Sequence, residues 1–345
     1  MLSLFEMDLR SLEEHLAAAG ERPYRAKQIM AWAYRKFAST WDEMSDLPER
    51  LRKYLVETVT FSRLELLRKQ EGEGDWAKRF LWGTEAKPLC ESVLLAYKYG
   101  LTGCVSSQAG CPVGCAFCAS AVIGFERDLT KGEILEEFTG MCRSEGDRLG
   151  HLVFMGTGEP FLNYDNVMAA IEVLCDPAYY GLSRRKVTVS TVGVPPMMKK
   201  YAVDCRGARL ALSLHATDDE TRDQIIPLNK RYPVESVVSA LREFSTSTGQ
   251  RVTIEYMLLK GLNDSGADAL RLSELVSGID CLVNLIPWNE VPGFPWGAPE
   301  PWRVKEFQDA LERNRVKVTV RRRLGANIEA ACGQLRRETA SPSPK

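Results

Sequence analysis

The chain has 345 residues, with 45 Lys/Arg against 46 Asp/Glu and a formal net charge of −1. Its length predicts one core of about 200–250 residues plus a smaller accessory unit; the near-neutral balance gives no general affinity for polyanions, although a local basic surface would suffice. No stretch reaches the ~20 apolar residues that span a bilayer, and MLSLFEMDLR lacks the basic region and apolar run of a signal peptide, so a cytoplasmic location without membrane attachment is expected. Ten cysteines in so long a chain, clustered near residue 111, fit a reducing compartment and a metal better than a disulfide scaffold.

Residues 1–72 read as a helical unit. Pro23 precedes YRAKQIMAWAYRKF, in which Ile29, Ala33 and Phe37 recur at helical spacing alongside Trp32 and Tyr34. Ser45 or Asp46 is a candidate cap for a further helix, LPERLRKYLVETV, with Pro48 near its first turn. Arg25, Lys27, Arg35 and Lys36 lie beside these aromatics, a mixture that suits an RNA-facing module and equally a core with solvated bases.

Residues 73–98 change period, and AKRFLW and ESVLLAYKY read as paired strands. From 99 to 337, extended segments at His151–Met155, Lys186–Ser190, Arg209–Leu214, Arg251–Leu258 and Cys281–Ile286 alternate with helical ones. The helical stretches are KGEILEEFTGMCRSE, NYDNVMAAIEVLCD, PVESVVSALREFSTSTG and DSGADALRLSELVSG, followed by WRVKEFQDALERN and a last strand, KVTVRR. This alternation predicts an α/β protein built from βαβ units on a parallel sheet. The polar candidates fall just past strand ends, so an open or partial (β/α)6 barrel is expected rather than a flat doubly wound sheet. Between Arg303 and Arg323 eight Lys/Arg face three Asp/Glu, and Arg184, Arg185 and Lys186 form a second basic group; solvated surface is the simpler alternative for each. Residues 338–345 carry enough Pro and Ser to be a disordered tail.

The chemistry concentrates in GCPVGCAFC. Cys111, Cys115 and Cys118 follow a CxxxCxxC spacing that can hold three irons of a four-iron cluster and leave the fourth free for a small molecule. The competing reading is a CxxC-type zinc or redox element. Phe117 either shields the cluster or packs on the sheet. Gly158, Glu159 and Pro160 follow the HLVFM strand, where glycines admit a ligand to the backbone and Glu159 accepts from an amino group or ribose. Ser190, Ser213 and His215 end successive strands, where short polar groups can meet ribose or carboxylate oxygens. Asn289 offers a paired donor and acceptor for an adenine edge. Cys104 and Cys332 are candidate reactive thiols, which need exposure and a positive setting that Arg321–Arg323 would help supply. Cys90, Cys142, Cys175, Cys205 and Cys281 fall in strand or helix patterns and are expected inside.

With these residues in view, the chain resembles the dual-specificity adenine-C2 RNA methyltransferase family of radical S-adenosylmethionine enzymes, and their relatives that methylate adenine C8. The resemblance runs through RPYRAKQIMAWAY, FASTWDEMSDLP, CVSSQAGCPVGCAFCAS, FMGTGEPFLN, VTVSTVG, LALSLHA, NLIPWN and VTVRRRLGANIEAACGQLR, leaving only the last ~8 residues outside. It implies one [4Fe–4S] cluster on Cys111, Cys115 and Cys118. It implies S-adenosylmethionine contacts at Gly158, Glu159, Ser190, Ser213, Leu214, His215 and Asn289. Cys332 matches the family's methyl-carrying cysteine, Cys104 its resolving cysteine and Glu91 its proton acceptor.

The implied reaction answers a chemical problem, because adenine C2 is electron-poor and offers no nucleophile to a sulfonium methyl. Two S-adenosylmethionine molecules are used per turnover: one methylates Cys332, and the other yields a 5′-deoxyadenosyl radical that activates the methyl for addition to C2. Glu91 then takes the C2 proton, and Cys104 attacks the Cys332 sulfur to free the RNA and leave a disulfide. The implied partners are 23S ribosomal RNA in the peptidyl-transferase region, adenosine 37 of transfer RNA, an electron donor such as flavodoxin or ferredoxin, and a thiol reductant for the Cys104–Cys332 disulfide. A monomer is expected. Two departures stand out: Thr157 replaces the Met or Ile of many relatives, and Ala326–Asn327 lack the acidic residue or histidine common there. EPFLN favours C2 over C8. The alternatives are C8 methylation, another radical reaction on RNA with Cys104 or Cys332 structural, and a noncatalytic Fe–S RNA-binding protein.

Overall fold

Asp8 opens the first helix with a reciprocal cap: its Oδ1 accepts from the Ser11 amide at 2.7 Å, and its own amide donates to Ser11 Oγ at 2.9 Å. Before it, β1 (Leu2–Ser3) runs into a short turn of helix. The helices α1 (Leu9–Ala18), α2 (Tyr24–Arg35) and α3 (Glu49–Thr58) follow, and β2 (Val59–Thr60) pairs with β1 in parallel. The computed structural model describes residues 1–72, 76–84, 87–122, 124–289, 293–321, 328 and 334–335. Helix α2 buries Ala26, Ile29, Met30, Ala33 and Tyr34 and ends as Phe37 takes φ +58°. Neither Ser45 nor Asp46 caps α3. Pro48 occupies that position without a side-chain bond, and Asp46 Oδ1 instead accepts from the Trp32 indole at 2.6 Å.

Helix was expected through residue 72, but the last N-terminal helix stops at Thr58 and β3 (Glu65–Glu71) is a strand. Most of its side chains are exposed, so no burial alternation marked it in the sequence. It continues antiparallel into β4 (Ala77–Thr84), β5 (Lys87–Tyr97) and β6 (Gly100–Val105). A small hairpin of β7 (Gln108–Ala109) and β8 (Arg127–Asp128) brackets the cysteine loop.

The rest alternates. In order come α4 (Lys131–Glu145), β9 (His151–Phe154), α5 (Tyr164–Cys175), β10 (Val187–Thr191), α6 (Pro195–Asp204) and β11 (Arg209–Ser213). Then follow α7 (Asp219–Ile225), α8 (Val234–Thr248), β12 (Val252–Leu258), α9 (Gly266–Leu275), β13 (Cys281–Pro287), α10 (Pro301–Arg313) and β14 (Val318–Val320). Helices α6 and α7 are additional to those expected from the sequence. One ten-stranded sheet runs β14-β13-β12-β11-β10-β9-β6-β5-β4-β3, parallel from β6 to β14 and antiparallel beyond β6. Among the described residues six β-to-α passages precede β14, and β14 and β3 each have a single neighbour, so the α/β sheet is open, as expected. Crossover helices bury its strands from outside, while the loops at the strands' C-terminal ends converge on one site.

Candidate active site

Between β7 and β8 the chain turns tightly enough for three thiols to face one another. Gly114 takes φ +72°, which folds the chain back between Cys111 and Cys115. The Cys118 amide donates to the Cys115 carbonyl at 3.1 Å, and the Ala116 amide reaches the Ile225 carbonyl at 2.9 Å. From outside, the indoles of Trp288 and Trp296 donate to the Phe117 and Ala116 carbonyls, each at 3.1 Å. Burial pushes the Cys111 thiol up to about 12, the Val113 and Gly114 amides directed at its sulfur pull it down, and Cys118 raises it again. Cys115 is pushed well up by burial and then by Cys118 and Cys111, with the Arg222 guanidinium opposing.

The sulfurs therefore share a site, yet among the described residues no three His, Cys, Asp or Glu side chains gather closely enough to hold one metal ion. Three thiolates bind three irons of a four-iron cluster and leave the fourth open, which is the donor set this loop offers. Amide donors and a nearby cation suit thiolate ligands.

Cys118 lines a cavity of about 130 Å³ that it shares with Gly158, Glu159, Ser190, Ser213 and His215. Gly158 has φ +111°, and a Cβ there would lie 2.6 Å from Ser107 Oγ and 2.8 Å from the Gln108 nitrogen, so only glycine fits. Glu159 is fixed by the protein itself: Oε1 accepts from the Phe161 amide at 3.0 Å and Oε2 from the Val192 amide at 2.8 Å. Burial raises its carboxyl above the ordinary range against these donors. The side chain thus ties the glycine loop to the end of β10, and any ligand contact uses the remaining lone pairs.

The Ser190 and Ser213 hydroxyls stand 3.2 Å apart across β10 and β11. His215 takes φ +60°, and its Nδ1 accepts from the Met257 amide at 3.0 Å. The proton therefore sits on Nε2. Burial and then Arg222 lower this ring to about 3, so it is a neutral donor. Phe117 meets it edge-on at 4.9 Å, packing and lining the cavity at once.

Comparison with known proteins bears directly on this arrangement. A model described as the Radical SAM superfamily matches residues 105–272, and one described as the ribosomal RNA large subunit methyltransferase N-terminal domain matches residues 2–60. A probable dual-specificity RNA methyltransferase RlmN of Thermotoga neapolitana is 39% identical over 345 residues, covering 100% of both chains. The dual-specificity RNA methyltransferase RlmN of Anaeromyxobacter sp. is 43% identical, covering 98% of this chain and 93% of its own. The crystal structure of a radical SAM methyltransferase from Sphaerobacter thermophilus superposes with a TM-score of 0.94 at 39% identity, covering 97% of this chain and 99% of that one. The chain belongs to the RlmN family of RNA methyltransferases. Membership of the radical SAM superfamily implies a [4Fe–4S] cluster and S-adenosylmethionine, and the donor set of the cysteine loop fits the former.

Of the other residues that the RlmN resemblance singled out, Leu214 and Asn289 are buried, and neither borders the cavity. The Leu214 backbone is engaged internally, its amide with the Glu255 carbonyl at 3.1 Å and its carbonyl with Arg222 Nε at 3.0 Å. Glu91 lies on β5, where its Oε1 accepts from Arg79 Nε at 3.0 Å and Nη2 at 2.5 Å. The Ser106 hydroxyl donates to the Glu91 carbonyl at 2.6 Å and accepts from the Thr157 amide at 2.8 Å, joining that strand to the glycine loop. Cys104 is not exposed, as a reactive thiol was expected to be. It is buried with Ala77, Val93, Leu95 and Leu335, and Ile328 packs against this group. Cys332 lies outside the described residues, as do Arg322, Arg323, Ala326 and Asn327. Its described neighbours are anchored: Arg79 Nη1 donates to the Ile328 carbonyl at 3.2 Å and Ser120 Oγ to the Leu335 carbonyl at 2.8 Å. Of the five cysteines expected inside, four are buried and Cys175 is half-buried. Arg79, Ser120, Arg222 and Glu255 are not among the residues expected at the site. Glu255 had a signal, a carboxylate in the apolar strand VTIEYML.

Proposed function

We propose that this chain methylates C2 of adenosine in 23S ribosomal RNA and in transfer RNA at adenosine 37, using two S-adenosylmethionine molecules per turnover. The observation that carries the proposal is the shared cavity: Cys118 of the thiol loop, the Gly158–Glu159 turn and the Ser190–Ser213 pair border one space at the strands' C-terminal ends. Cys111, Cys115 and Cys118 would hold the cluster, which when bound supplies the electron that cleaves the sulfonium. Gly158, Glu159, Ser190, Ser213, Leu214, His215 and Asn289 would hold S-adenosylmethionine.

The protein's own groups divide the remaining work. Cys332 takes a methyl from the first sulfonium, which leaves as the thioether. Glu91, held by Arg79, receives the C2 proton after the carbon bond to the base has formed. Cys104, as its thiolate, attacks the Cys332 sulfur; the sulfur–carbon bond to the RNA adduct breaks with its electron pair on the carbon, which takes up a proton to become the methyl, and a thiol reduces the disulfide. Burial of Cys104 suits a thiol that must meet one partner and no other, and the anchored residues on either side of Cys332 belong to the same packed group as Cys104. Flavodoxin or ferredoxin is the electron donor in this reading, the N-terminal helices dock RNA, and the protein works as a cytoplasmic monomer. No helix among the described residues is long and apolar enough to cross a membrane.

The test is anaerobic turnover of reconstituted protein on unmodified 23S and transfer RNA, followed by nucleoside mass spectrometry. The expected product is 2-methyladenosine on both RNAs; 8-methyladenosine would refute the C2 assignment. Cys332→Ala should abolish product, and full-rate methylation by that variant would remove the methyl carrier from the scheme. Cys104→Ala should accumulate a covalent protein–RNA adduct visible on a denaturing gel, and normal turnover would rule out its resolving role.

A further inference from the structure

A carboxylate inside a parallel sheet is costly unless something holds or uses its charge. Glu255 is 5% exposed in the middle of β12, and the strand register sets Ser213, Glu255, Asn284 and Thr319 side by side across β11, β12, β13 and β14. Side chains at paired positions of neighbouring strands point to one face. Thr319 Oγ1 donates to Asn284 Oδ1 at 3.1 Å, which turns the Asn284 amide nitrogen toward Glu255, where Nδ2 donates to Oε2 at 2.8 Å. Arg321 Nη1 stands 4.0 Å from the same oxygen. All of this engages Oε2. Oε1 has no hydrogen-bond partner among the described residues, and the side chain lines the cavity that holds Ser190 and Ser213.

A carboxylate with one oxygen held and the other turned to a cavity is an acceptor waiting for donors. A cationic amino group would approach with Arg321 already close by. Neutral hydroxyls meet no such opposition, and a vicinal diol suits a cavity whose polar lining already includes Ser190 and Ser213 beside Glu255. We propose that Glu255 accepts a hydrogen bond from the ribose hydroxyls of S-adenosylmethionine, with Asn284 and Thr319 as positioning residues that orient it. This assignment rests on reading the cavity as the S-adenosylmethionine site.

The test is equilibrium dialysis on the full-length, cluster-reconstituted protein without reductant, comparing S-adenosylmethionine with its 2′,3′-dideoxyribose analogue. Glu255→Gln keeps the volume and an oxygen for Asn284, and its melting curve establishes folding. A hydrogen bond to a charged group sets the expected loss at roughly ten- to hundredfold in affinity. Wild type should lose that factor when the ribose hydroxyls are removed. The variant should lose it with the natural cofactor and then be indifferent to the hydroxyls. A folded variant that binds the cofactor as tightly as wild type, or still discriminates between the two ligands, overturns the assignment while leaving the cavity's reading intact. Wild type that binds no S-adenosylmethionine at all overturns both.

Discussion

Gly158 shows how narrow the tolerance of this site is. Its φ of +111° lies where side chains are strained, and the space a methyl would need already holds Ser107 Oγ and the Gln108 backbone. Gly158→Ala must therefore move the turn that carries Glu159 away from the end of β10. We expect a loss of about 2–4 kcal/mol in stability and cofactor binding too weak to saturate, read by a melting curve and by dialysis. A variant with unchanged binding would show that the glycine turn does not shape the cavity. At this scale the sequence was legible where a residue's type is its chemistry, as for the three thiols and Gly158. It was less legible where a residue works through neighbours. Glu159 spends its strongest contacts on Phe161 and Val192, and Glu255 acquires meaning only when the register sets it beside Ser213 and Asn284.

At the scale of elements, α4 was readable to its ends because its signals are local: Thr130 and Glu133 form a capping box and Gly146 closes it at φ +65°. Strand β3 gave no such signal, since it is largely exposed and is held by its pairing with β4. What joins these parts is Glu136 on α4. Its Oε2 accepts from Ser62 Oγ at 2.6 Å and from the amides of Arg63 and Leu64 at 2.8 and 2.7 Å, fastening the entry to β3. Burial raises its carboxyl to about 7 from an ordinary 4.5, against these donors and with Glu133 adding to the rise. The folded state therefore binds this proton more tightly than the unfolded chain between those values. Stability from this group is fully present below 4.5, falls as pH rises, and is lost above about 7. The gap corresponds to about 3 kcal/mol as an upper figure. Glu136→Gln mimics the protonated form and should remove most of that decline, measured by urea denaturation at about pH 5 and about pH 8. Equal declines in variant and wild type would mean that Glu136 does not carry the proton.

For the molecule as a whole, the question is whether the N-terminal helices are a mobile appendage or part of the core. One hydrophobic cluster runs from Leu4, Tyr34 and Trp41 into Phe138, Leu210 and Phe307 without a break. The contact is also specific. Tyr179, in the connection after α5, accepts from the Leu9 amide at 2.9 Å through its hydroxyl, meets Tyr34 edge-on at 5.3 Å, and receives Arg35 Nε on its carbonyl at 2.9 Å. The Gly132 amide at the start of α4 donates to Glu6 Oε1 at 2.8 Å, a second tie between the same parts. A surface so packed predicts that the N-terminal helices and the core unfold together, and any RNA bound by the helices would then be held at a fixed angle to the cavity. Tyr179→Ala should then cost about 3–5 kcal/mol, as large aromatic truncations in a core do, and the cost should be felt on both sides. Amide exchange would read it, with α2 and β10 losing protection by similar factors. Loss confined to α2 would show that the helices open on their own, and RNA docking would then be a separate equilibrium from the stability of the catalytic sheet.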